Sequence, residues 1–139
     1  MQDRTLAQTL AMVFGIAFLG AGILGFIPGI TTNYSEMKFA GGESGAELLG
    51  IFQVSVLHNI VHGLFGLAGL ALAKTASGAR AYLIGGGAIY ILLALVQVIG
   101  AGDWVPLVGP DLWLHLALGV GMIGLGYGLT RDRSNPVTT

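Results

Sequence analysis

Three histidines are the side chains in this sequence best suited to chemistry, and two of them, His58 and His62, stand four residues apart. On a helix that spacing puts both imidazoles on one face about one turn apart, a recurrent arrangement for metal ligands. His115 lies far along the chain and could complete a three-nitrogen site from a facing helix. A His58 and His115 pair at equal depth would also meet the basic demand of bis-histidine haem ligation. Asn59 and Gln97 are the other polar groups that could line such a pocket. The His-x-x-x-His pair lacks the glutamate of His-Glu-x-x-His, so no protease signature is present. The competing reading is structural: neutral imidazoles and Asn59 hydrogen-bond one another and backbone carbonyls, and so fix helix register.

The elements that must position these groups are four apolar stretches, Leu6–Ile27, Leu48–Ala73, Ala81–Gly100 and Leu112–Leu129. A hydrocarbon core about 30 Å thick takes about 20 helical residues to cross, a length all four stretches reach. None contains Asp, Glu, Lys or Arg, each of which would cost roughly 2.5–3.5 kcal/mol at the centre of a membrane helix. Only 9% of the 139 residues are charged, 54% are hydrophobic and mean hydropathy is +0.80. A soluble domain carries about 25% charged residues to solvate its surface. The expected architecture is therefore all-α, an integral membrane four-helix bundle in one domain over residues 1–130. Residues 131–139 form an expected disordered cytoplasmic tail.

Charge placement sets the expected orientation. Arg4, Lys74, Arg80, Arg131 and Arg133 fall on one side of the layout, against Lys38 alone on the other, which by the positive-inside bias puts both termini in the cytoplasm of a multi-pass plasma-membrane protein. Glu36, Glu43, Glu47, Asp103 and Asp111 collect on the outer side. Trp104 and Trp113 sit near the outer boundary, while Tyr82 and Tyr127 read as anchors at the inner one. The first apolar run is longer than a signal-peptide core and is read as retained.

Helical periodicity sorts each segment into faces. In the second, Ser55, His58, Asn59, His62, Gly66, Gly69 and Ala73 share one stripe, while Ile60, Val61, Leu64 and Leu67 lie off it. The fourth aligns His115, Gly119, Met122 and Gly126, and the third aligns Gly86, Tyr90, Ala94 and Gln97. In the first, Ala7, Ala11 and Gly15, and again Ala17, Ala21 and Gly25, form small-xxx-small patterns that let backbones approach. Counting from the cytoplasmic basic residues, His58 is 16 from Lys74, His115 is 16 from Arg131 and Gln97 is 17 from Arg80. They should share a layer in the outer half of the bundle, with His62 one turn deeper. The His-x-x-x-Gly pattern at His62–Gly66 recurs at His115–Gly119. It reads either as a duplicated hairpin or as a coincidence of composition.

Several chemistries are excluded. With no cysteine there is no disulfide, thiolate or iron–sulfur chemistry. No phosphate-binding loop, nucleophile elbow or intramembrane carboxylate pair occurs. A net charge of −1 offers nucleic acid no footprint. The stretches Gly22–Gly29, His58–Gly66 and Asp111–Gly119 resemble a family of small bacterial membrane proteins of unknown function, met in actinobacteria and cyanobacteria. The resemblance spans roughly residues 4–130 and implies a four-helix membrane protein, with no activity attached. The layout is also similar in topology to four-helix families of the DoxX type, some of them tied to redox chemistry.

Two functions stay open. One is a non-enzymatic accessory or stabilising component of a membrane assembly, with lipid, other membrane subunits or a second copy as partners and no cofactor. The other is a ligand-binding redox protein that uses His58 and His115 for haem b, or His58, His62 and His115 for a divalent metal, or takes a quinone-type ligand.

Overall fold

A computed structural model describes residues 4–40, 44–99 and 110–129 of the chain. The described residues are mostly helical and hold four α-helices: α1 (Leu6–Leu24), α2 (Val56–Leu72), α3 (Ala76–Val98) and α4 (Pro110–Gly124). The last is continued by a π-helical turn, Leu125–Leu129. Between α1 and α2 lie three two-residue strands, β1 (Thr31–Thr32), β2 (Glu47–Leu48) and β3 (Phe52–Gln53), paired antiparallel in that order. Residues 76–96 of α3 and the whole of α1 are long and apolar enough to cross a membrane.

Helices α1, α2 and α3 each start where a side chain can take orphan N–H groups. Thr5 and Gln8 form a reciprocal capping box at the start of α1. The Gln8 amide nitrogen also donates to the carbonyls of Ala73 and Lys74, both at 3.1 Å, so one side chain closes the start of α1 and the end of α2. Ser55 caps α2 by accepting from the His58 N–H at 3.1 Å, and Thr75 Oγ1 accepts from the Gly78 N–H at 3.0 Å in the first turn of α3.

Helix pairs close through glycine. A Cβ placed on Gly22 would lie 2.7 Å from the Asn59 carbonyl oxygen and from the Gly63 nitrogen, and one on Gly15 would lie 2.9 Å from the Gly66 carbonyl. Across the other pair, a Cβ on Gly87 would lie 2.7 Å from the Gly119 carbonyl. Only a bare backbone permits these approaches. The contacts run in opposite senses along the two chains in each case, so α1 and α2 are antiparallel, as are α3 and α4. Aromatic packing joins the two hairpins: Phe65 packs against Phe18, Tyr82 and Tyr90, and Phe18 against Tyr90, with ring centroids 4.9–5.5 Å apart.

Several expected boundaries move. The second apolar stretch does not become helical at Leu48; residues 47–53 make β2 and β3, and the helix waits for the Ser55 cap at Val56. The hairpin is forced by its turn, in which the Ile51 N–H donates to the Leu48 carbonyl at 3.1 Å and both Leu49 (φ +55°) and Gly50 (φ +71°) are left-handed. Helix α1 ends at Leu24, short of Ile27, where Thr31 Oγ1 donates to the Leu24 carbonyl. Helix α3 begins at Ala76, so Arg80 lies within it. Consequently α2, with 17 residues, falls short of the length read for all four segments, whereas α4 with its π-helical continuation is helical from Pro110 to Leu129. The tail at 131–139 and Trp104 lie outside the described residues.

Candidate histidine centre

The Ser55 cap places His58 in the first turn of α2, and the helical repeat puts His62 directly below it. The α2 face expected to turn inward does so: Ser55, His58, Asn59, Gly66, Gly69 and Ala73 are buried and His62 partly so, while Ile60, Val61, Leu64 and Leu67 are exposed. From α4, His115 enters the same space with 3% of its surface exposed. The three histidines each present a ring nitrogen, and these atoms all lie within 4.8 Å of one another. Ring centroids are 4.1 Å apart for His58 and His62, and 5.9 Å for His115 against each of them. The His62 and His115 rings lie nearly parallel, at 8°.

Aromatic side chains from the other two helices wall the cluster. Tyr90 of α3 packs 4.9 Å from the His115 ring, and Phe18 of α1 packs 5.8 Å from His62. Periodicity places Tyr90 on the inward line of α3; Phe18 is missed because the polar residues of its helix, Gln8 and Thr9, stand more than two turns away and none marks its level. The His58 side chain is 9% exposed, and among the described residues neither of its buried ring nitrogens has a hydrogen-bond partner. Leaving such a group unsatisfied costs about 1–3 kcal/mol per lost partner.

Asn59, adjacent in sequence, points elsewhere. Its amide packs against Gly25, where no Cβ could fit, and its nitrogen reaches Met37 Sδ at 3.8 Å, while its side-chain oxygen has no partner among the described residues. It is a filler between α1, α2 and the connecting loop, beside the histidines and not among them. The Gln97 side chain lies outside the described residues. Tyr82 is not the boundary anchor expected from sequence: it is 4% exposed and donates to the Phe65 carbonyl at 3.0 Å. Tyr127 is exposed, with the Arg80 guanidinium 5.5 Å above its ring.

Comparison with known proteins places the chain at the level of family. Residues 8–128 match the model of a domain of unknown function, DUF4383. The chain belongs to the DUF4383 family. The match takes in all three histidines, Asn59 and Tyr90, and brings no activity with it. No curated protein and no solved structure matches the chain.

The histidine set of this DUF4383 chain suits an ion better than a haem. A porphyrin needs a flat slot, much wider than an imidazole, between two axial rings. Here His62 lies against His58, and Tyr90 against His115 and Phe18, so the space beside the rings is filled. A tetrahedral ion with bonds of about 2.0–2.1 Å to nitrogen holds its donors roughly 3.4 Å apart. From 4.8 Å or less, rotation of the imidazoles about their side-chain bonds closes that distance.

Proposed function

We propose that this protein is a multi-pass integral membrane protein of four helices that binds one transition-metal ion through His58, His62 and His115. The observation that carries the metal reading is the convergence of three imidazoles in the bundle interior, His58 and His115 buried and His62 partly so, with both ring nitrogens of His58 unpartnered among the described residues. A bound cation supplies the partner that His58 lacks and makes use of three neutral nitrogen donors, the set favoured by zinc, copper, nickel and iron. No comparable residue-level observation favours an accessory role.

The membrane reading is supported by what lies outside. Val13, Ile16 and Ile23 on α1, Leu64 and Leu67 on α2, Ile89, Leu92 and Leu95 on α3, and Trp113 and Val120 on α4 are all more than half exposed. Large apolar side chains exposed on all four helices are the kind of surface that a water-soluble monomer rarely shows. The short helix α2 is accommodated by local thinning of the bilayer and by the apolar hairpin that precedes it. Arg4, Lys74 and Arg80 lie at one end of the helices, with Glu36, Lys38 and Glu47 in the loop at the other. This distribution supports cytoplasmic termini in a plasma-membrane protein, and with them a histidine centre in the outer half of the span.

The test is metal analysis of detergent-purified protein incubated with cobalt(II), then with zinc(II). One ion per chain is expected, with visible cobalt bands of the intensity of a four-coordinate site, and loss of stoichiometric binding in His62→Leu and His115→Leu. No stoichiometric ion, or binding that survives both substitutions, overturns the metal reading. A chain that stays monodisperse in buffer without detergent overturns the membrane reading.

A further inference from the structure

At the opposite end of the helices from the histidines, the start of α1 and the end of α2 enclose an open cleft of about 320 Å³ lined by Arg4, Gln8, Met12, Leu70, Ala73 and Lys74. Its volume is at the lower end of the range for small-molecule sites, about 300–1,000 Å³. The neutral polar groups of the cleft are already engaged. Gln8 Nε2 donates to the Ala73 and Lys74 carbonyls, and Gln8 Oε1 accepts from Thr5. What the cleft offers a visitor is therefore two cations above an apolar floor of Met12, Leu70 and Ala73. The Arg4 guanidinium is folded over that floor, 2.8 Å from Met12 Sδ. Among the described side chains the carboxylates, Glu36 and Glu47, belong to the loop at the other end of the helices.

We infer that this cleft binds the phosphate head group of an anionic phospholipid from the cytoplasmic leaflet, with Arg4 and Lys74 on the phosphate and the first carbons of the lipid against Met12 and Leu70. The inference rests on the membrane reading above and is independent of the histidine centre. A guanidinium and an ammonium flanking one opening form a diffuse positive site suited to a phosphodiester. The apolar floor distinguishes an amphiphile from free phosphate, which would leave Met12 and Leu70 uncovered. Basic clefts between helices at the inner membrane surface take anionic head groups for this reason.

The experiment measures thermal unfolding of the detergent-solubilised full chain with added short-chain phosphatidylglycerol, short-chain phosphatidylcholine or inorganic phosphate. Phosphatidylglycerol should raise the midpoint in a saturable way, and the other two should not. Arg4→Gln and Lys74→Gln should each weaken the apparent affinity about fivefold, and the double variant should reduce the response to that of phosphatidylcholine. Native mass spectrometry from a mixture of the two lipids gives a second readout on the wild-type chain, with retained phosphatidylglycerol expected. Equal responses to both lipids, a full response to inorganic phosphate, or no retained phosphatidylglycerol overturns the proposal while the membrane reading stands. Solubility without detergent removes both.

Discussion

At the scale of single residues, His58 separates a metal centre from a packing device. An imidazole that served only to lock helices together would be hydrogen-bonded, and its loss would destabilise the fold. With both ring nitrogens buried and unpartnered among the described residues, replacement by an apolar side chain of similar size removes an unsatisfied group. His58→Leu is therefore expected to leave the unfolding midpoint of the metal-free protein unchanged or raised, while stabilisation by added cobalt(II) or zinc(II) disappears. A drop in the metal-free midpoint equivalent to about 2 kcal/mol or more would instead mark His58 as a structural group. The three histidines were legible because their spacing, the inward stripe and the depth count each depend only on helical repeat. The role of Asn59 was not. It sits one position from His58, but its neighbours are Gly25 and Met37 in the long connection, where periodicity gives no information.

At the scale of elements, glycine decides how closely the helices approach, and its positions divide into two kinds. A methyl on Gly66 would lie 2.6 Å from the Gly15 carbonyl, whereas one on Gly121 meets nothing within 4 Å. Gly66→Ala should destabilise the protein by about 1–3 kcal/mol through forced separation of α1 and α2. Gly121→Ala, on a helix with free space beside it, should be neutral or mildly stabilising because alanine is the better helix former. Thermal unfolding of the two variants in the same detergent checks the contrast, and equal effects would show that the seam does not limit packing. The small-xxx-small line Ala7, Ala11 and Gly15 is buried, while Ala17 on the second line is exposed. Spacing alone could identify both lines but could not say which one met a neighbour. The hairpin before α2 was hidden for a different reason. Leu48, Leu49, Ile51, Phe52 and Val54 read as a continuous apolar run, and the left-handed pair Leu49 and Gly50 that folds it back has one glycine to announce it.

For the whole molecule, size runs the opposite way from that of a water-soluble domain. Alanine, glycine, serine, asparagine and histidine fill much of the interior, while leucine, isoleucine and valine cover the outside. In lipid, apolar bulk gains little by being hidden, and close backbone approach and polar pairing take over. Because the chain has no cysteine, its orientation can be mapped without removing any background thiol. Ser35→Cys, in the loop after α1, should react with a membrane-impermeant maleimide on intact cells, and Ser77→Cys, at the start of α3, only after permeabilisation. The reverse pattern would invert the proposed topology.

The doubly engaged Gln8 fastens the start of α1 to the end of α2, and at the other end β1, tied to the Leu24 carbonyl by the Thr31 hydroxyl, pairs with the hairpin that precedes α2. The stretch from Ala73 to Thr75 that leads to α3 bridges two halves, each with its own glycine seam. Severing the chain there should yield fragments that find one another again when produced together. Since His58 and His62 reside in one fragment and His115 in the other, cobalt colour from the mixture, and from neither fragment alone, would report their reunion.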